Sequence, residues 1–160
     1  MKLRKILVPL DGSVLAEAAL PRAVDLAESE GATISLLRAA EASGRLGADP
    51  VEAQVTAVRE AEEYLAGVVR RLAERGATRV ETHVWYGPPA AAITEAAAVQ
   101  KADMIVMGTH GRSGLGRLVL GSVAESVLRG TTIPILVVRA DGAPVDAPGS
   151  TGRARSLSHV

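Results

Sequence analysis

The chain has 160 residues, 48% of them apolar, no cysteine, and 18 basic against 18 acidic side chains for a formal net charge of zero. That length suits one domain with a sizeable core, and the lack of cysteine excludes a disulfide framework, a thiol nucleophile and a thiolate metal site. Balanced charge, one Trp, two Tyr and no Phe offer neither the basic field nor the stacking surfaces of a nucleic-acid binder, and no apolar run approaches the roughly 18 residues of a membrane span, so neither nucleic acid nor membrane is expected as a partner.

Along the chain, Lys2, Arg4 and Lys5 precede only the short apolar run Ile6 to Leu10 before Asp11, too short for the apolar region of a secretory signal, so a cytoplasmic location is expected. Arg4 to Leu10 reads as a first strand, and Pro21 in the helical segment after it predicts a kink or a late helix start, because proline cannot donate to the carbonyl one turn back. Thr33 to Ala39 reads as the second strand. Glu41 to Pro50, rich in Gly and Ala, reads as a loop, and the helix after it carries an apolar stripe of Val51, Val55, Val58, Leu65, Val69 and Leu72. Two helices stop with the same punctuation, Gly31-Ala32-Thr33 and Gly76-Ala77-Thr78, glycine taking a left-handed turn before a β-branched strand start.

The third strand, Thr78 to Trp85, alternates polar and apolar like a sheet edge, whereas Ala102 to Met107 and Ile133 to Val138 are nearly all apolar, as strands of a parallel sheet are. Strand and helix signals thus alternate, which predicts an α/β fold: a single-domain, doubly wound, five-stranded parallel sheet with helices on both faces, over about residues 1–140. Residues 141–160, with Asp-Gly-Ala-Pro and Pro-Gly-Ser-Thr-Gly runs, lack apolar periodicity and are expected to be a disordered tail.

Chemistry concentrates between the fourth strand and the next helical segment, in Met107-Gly108-Thr109-His110-Gly111-Arg112-Ser113-Gly114-Leu115-Gly116-Arg117-Leu118-Val119-Leu120-Gly121-Ser122. Apolar residues from Leu115 to Leu128 recur at helical spacing, so the glycines lie on a strand-to-helix turn. There glycine permits close approach of a ligand, while unpaired N–H groups and the helix dipole favour an anion. Ser113 and Ser122 would add hydroxyl donors, and Arg112 or Arg117 countercharge. The segment lacks the Gly-Lys-Ser/Thr of the common phosphate loop, there being no lysine after Lys101, and it lacks the dinucleotide glycine spacing after the first strand.

What it resembles is the universal stress protein family, whose nucleotide-binding members carry Gly, two residues, Gly, nine residues, Gly, then Ser or Thr. Gly108, Gly111, Gly121 and Ser122 match that pattern, Ile6 to Ser13 matches the family's first strand and turn, and Pro134 to Val138 its last strand. The resemblance implies a sheet of order 3-2-1-4-5 with the site where strands one and four part, and adenine nucleotide, ATP with Mg²⁺ carried mainly by the phosphates, as ligand. It implies Pro9, Leu10 and Asp11 on the adenine and ribose side, backbone at Ala39 against the base, and backbone and side-chain contacts from Met107, Gly108, His110, Gly111, Gly121, Ser122 and Val123. Ala39 stands where the family often has Val after a His; Arg38 precedes it here. In that order the fifth strand is also an edge, and its apolar Ile135, Leu136, Val137 and Val138 are expected to pair with a second copy in a homodimer, the plainer reading being a strand shielded by the C-terminal tail.

Plainer readings stand beside these. Asp11 or Ser13 would each cap the helix that follows, Gly114 and Gly116 would simply make a tight turn, and Arg112 and Arg117 would be solvated charges. His110 would be a phosphate contact or a turn residue more readily than a general base. Three functions compete: a regulatory ATP-binding protein without a catalytic residue, with AMP or cyclic AMP as alternative ligands; a slow ATPase or nucleotidyl transferase, for which Asp11 is the one obvious carboxylate; and a structural dimer that binds no nucleotide.

Overall fold

The computed structural model describes residues 2–41, 49–77, 79–109 and 120–140. Five strands, β1 (Lys5–Pro9), β2 (Thr33–Ala40), β3 (Val80–Tyr86), β4 (Met104–Thr109) and β5 (Ile135–Arg139), alternate with helices α1 (Val14–Glu17), α2 (Leu20–Glu30), α3 (Pro50–Glu74), α4 (Pro89–Val99) and α5 (Ser122–Gly130). The strands form one parallel sheet in the order β3-β2-β1-β4-β5.

Alternation along the strands divides the core between the two faces. Ile6 and Val8 of β1, Ile34 and Leu36 of β2 and Val106 of β4 pack with Leu20, Ala23 and Ala27 of α2 and Leu65, Val68 and Leu72 of α3. The residues between them, Leu7, Leu37, Ile105 and Met107, pack on Ile93, Ala96 and Ala97 of α4 and Ala124 and Val127 of α5. β1, β2 and β4 thus bury apolar side chains on both sides, as the middle of a sheet covered on both faces requires.

The chain breaks between α1 and α2 at Ala18 and Ala19, and Pro21 sits in the first turn of α2, where no N–H is needed. This is the late start that the proline predicts. Gly31 and Gly76 stop the helices before them at φ 68° and 91°. Asp103, the one acid in its apolar run, precedes β4 and accepts the backbone N–H groups of Arg4 and Lys5 at 2.8 and 2.9 Å, tying the start of β4 to the start of β1. Those two hydrogen bonds hold its carboxyl below the ordinary range.

The structure corrects several expectations. The stripe on α3 fails in its first half: Val51 and Val55 are 69% and 53% exposed, while Ala61, Leu65, Val68 and Leu72 are the buried residues. A helix of 25 residues spans about 37 Å, whereas the eight residues of β2 span about 26 Å, so its first turns overhang the sheet. The helical run expected from Leu115 to Leu128 is interrupted: Leu120 and Gly121 are not helical, Gly121 is extended (ψ 155°), and α5 begins at Ser122, while Leu115 to Val119 lie outside the described residues. Gly108 lies inside β4, not after it, since pairing with β5 continues through Gly108↔Val138 and Thr109↔Arg139. Residues 110–119, with His110, Gly111 and Arg112, and the tail 141–160 lie outside the described residues.

Candidate nucleotide site at the β1/β4 switch point

From β1 the chain crosses to β2 on one side, and β4 lies on the other. The β1/β4 register runs through Ile6↔Met104 and Leu7↔Ile105, short of the end of β1 at Pro9. Beyond it the strands part, and a crevice of about 440 Å³ opens at their C-terminal ends. That volume is in the range of small-molecule sites, and its place is where open α/β sheets hold ligands.

Segments distant in sequence meet there: Pro9, Leu10, Asp11, Ser13, Leu15 and Ala16 from β1 and α1, Leu37, Arg38 and Ala39 from β2, Pro89 and Ile93 from α4, Met107 and Gly108 from β4, and Gly121, Ser122 and Val123 at the start of α5. Of the expected site residues, Pro9, Leu10, Asp11, Ala39, Met107, Gly108, Gly121, Ser122 and Val123 therefore line one crevice, and His110, Gly111 and Arg112 fall outside the described residues. Sequence reading missed Leu15, Ala16, Leu37, Pro89 and Ile93, which belong to no motif and whose apolar character signals only burial. Arg38 was visible only as a departure from the family pattern.

The two sides of the crevice differ chemically. Leu37, Ala39, Pro89, Ile93, Met107 and Val123 give an apolar slot toward α4 and α5, whereas Asp11, Ser13, Arg38 and Ser122 give a polar rim. At the start of α5 the first intrahelical bond runs from Glu125 N–H to the Gly121 carbonyl at 3.0 Å. The N–H groups of Ser122, Val123 and Ala124 therefore precede the helical ladder and, with the helix dipole, favour an anion.

Of the two capping alternatives at the end of β1, the structure takes Ser13 and not Asp11, which instead closes the turn before the helix. Ser13 is the N-cap of α1, its hydroxyl accepting Ala16 N–H at 3.1 Å, and Asp11 Oδ1 accepts Ser13 N–H at 2.8 Å. Gly108 has a packing reason as well: a Cβ there would collide with the Leu15 carbonyl oxygen and lie 3.0 Å from its carbon. Its missing side chain lets α1 lie directly on β4 and so narrows the crevice.

Arg38 stacks over the Tyr64 ring at 4.7 Å to its centroid. Tyr64 donates its hydroxyl to Glu17 Oε1 at 2.8 Å, and Arg71 Nη2 donates to Glu17 Oε2 at 2.8 Å. Burial first, then the Glu17 carboxylate, push the Tyr64 hydroxyl above its ordinary range. This network fixes α1, and the loop before it, against α3.

A doubly wound sheet with a crevice at its switch point, apolar on one side and polar on the other, is the arrangement in which open α/β sheets hold ligands. The family model for the universal stress protein family matches residues 2–139, and the chain belongs to that family. It is 36% identical over 141 residues to a universal stress protein of Methanocaldococcus jannaschii, covering 85% of this chain and 82% of that one. The universal stress protein UspA from Lactobacillus plantarum superposes with a TM-score of 0.72 at 27% identity, over 87% of this chain and 99% of that one. A universal stress protein crystallised in complex with cyclic AMP superposes with a TM-score of 0.59 at 26% identity, over 86% and 98%. No described helix is long and apolar enough to cross a membrane.

Proposed function

We propose that this chain is a regulatory universal stress protein that binds ATP in the β1/β4 crevice and passes its occupancy to partner proteins in the cytoplasm. The observation that carries the reading is the convergence of Pro9 to Asp11, Ala39, Met107, Gly108 and Gly121 to Val123 on one crevice. The base lies in the apolar slot against the backbone of Ala39, the ribose lies by Asp11, and the phosphates lie at the start of α5 with Ser122. Gly111, His110 and Arg112 complete the phosphate side, with Mg²⁺ carried mainly by the phosphates. Cyclic AMP or AMP is the second ligand reading, supported by the relative crystallised with cyclic AMP.

Calorimetric titration of ATP, AMP and cyclic AMP, with and without Mg²⁺ and with phosphate release followed in the same samples, tests this. Micromolar ATP binding without turnover is the expected result. Sustained phosphate release moves the protein to the enzyme class, and no binding of any of the three rejects the reading.

The same proposal includes a homodimer through β5. That strand ends the sheet, and its Leu136 and Val137 are each 36% exposed on opposite sides of it. An unpaired apolar edge is costly alone and is covered by a symmetry-related copy of itself.

A further inference from the structure

Arg38 is a half-buried cation that lines the crevice and, among the described residues, makes no hydrogen bond or ion pair. On β2 it alternates with Leu37 and Ala39, so it points to the α3 side of the sheet while they point to the apolar slot. Its guanidinium reaches the loop between β1 and α1: Nη1 lies 2.7 Å from where a Cβ of Gly12 would be, between Asp11 and Ser13 in the chain. One face of the guanidinium is taken by the Tyr64 ring at 4.7 Å, which leaves its N–H edge to offer. A planar fork of donors suits a phosphate and not a stacked base. The start of α5, the other anion-favouring feature, follows β4, two strand spacings away or roughly 10 Å. Asp11 turns its Oδ1 back onto its own loop, accepting Ser13 N–H at 2.8 Å, and makes no ion pair with Arg38.

We propose that Arg38 forms a second anion subsite on the sugar side of the crevice and makes the protein select nucleotides that carry a phosphate on the ribose ring as well as at the 5′ position. This rests on the nucleotide site proposed above and adds the class of ligand. The subsite accounts for a polar rim that carries Arg38 as well as the donors at the start of α5.

The test is calorimetry at one fixed salt concentration with adenosine 2′,5′-bisphosphate, adenosine 3′,5′-bisphosphate and ADP. ADP has two phosphates on the 5′ side and controls for general charge. At least one bisphosphate is expected to bind the wild-type protein tenfold or more tightly than ADP, and which one identifies the ribose position. In Arg38→Met, which keeps the apolar stem against Tyr64, the ratio falls to about one. In Arg38→Lys, with a point charge and no fork, it is intermediate. Wild-type binding of ADP with no preference for either bisphosphate overturns the inference and leaves the nucleotide site standing, as does an unchanged ratio in a folded Arg38→Met variant. No binding of any of the three overturns both.

Discussion

Gly108 shows how little of a residue's reason is visible in a motif. Its place in the glycine pattern points to a phosphate, yet its first physical constraint is the Leu15 carbonyl, against which no side chain fits. Gly108→Ala is therefore expected to cost about 2 kcal/mol of stability, as overpacking against backbone does, read as a lower midpoint in urea. A loss of nucleotide affinity with no loss of stability would place the constraint in the ligand instead. Ser122→Ala, at an exposed helix start, is expected to behave in the opposite way, with unchanged stability and ATP binding weaker by about 1 kcal/mol for one lost hydrogen bond. Asp103 adds a pH effect with a definite sign. Its carboxyl is held low by the N–H groups of Arg4 and Lys5, so its stabilisation is present above the ordinary carboxylate range and is lost as pH falls toward the depressed value. Asp103→Ala should lower stability by about 1 to 2 kcal/mol at neutral pH, and thermal melts of the two proteins should converge as the pH is lowered. A pH-independent gap would mean that packing and not charge is lost.

Among the elements, strands and helix stops were the most legible parts of the chain. Gly31 and Gly76 mark helix ends and Pro21 marks a helix start because each reflects backbone sterics that operate within a few residues. Strand limits were legible only to within a residue or two, since a ladder ends where its neighbour does, and the neighbour is remote in sequence. The α3 stripe shows the same limit: valine at helical spacing reports a face, but only the length of the sheet decides whether Val51 and Val55 have anything to bury against. The start of α5 at Ser122 has a related cause. Periodicity from Leu115 ran through Gly121, which in the structure is extended and leaves the N–H groups after it outside the ladder. The cap of α1 offers a clean check at this scale. Ser13→Ala removes the acceptor for Ala16 N–H and is expected to cost about 1 kcal/mol, while Ser13→Asp, which can still cap, should restore most of it.

For the whole molecule, the alternation of strand and helix signals established the parallel sheet, but strand order came from the family resemblance, because no local signal says which strands are neighbours. The crevice follows from that order, as the parting of β1 and β4 brings together residues up to 114 positions apart, Pro9 to Val123. Its apolar slot was not legible, because Pro89 and Ile93 read as ordinary core until the topology sets them beside Met107. The exposed β5 edge is the other molecular-scale feature. Val137→Lys puts a charge on it, and sedimentation velocity should show a dimer for the wild-type protein and a monomer for the variant. A wild-type monomer at micromolar concentration would reject the dimer without touching the nucleotide site.

Titrating ATP into the isotope-labelled protein while following backbone amides by NMR shows whether nucleotide binds in the switch-point crevice. The largest shifts are expected at Leu10 to Ser13, Ala39, Gly108 and Ser122 to Ala124. Shifts concentrated instead at the opposite end of the sheet, around Gly31 and Gly76, or none at saturating ATP, would contradict binding in the crevice.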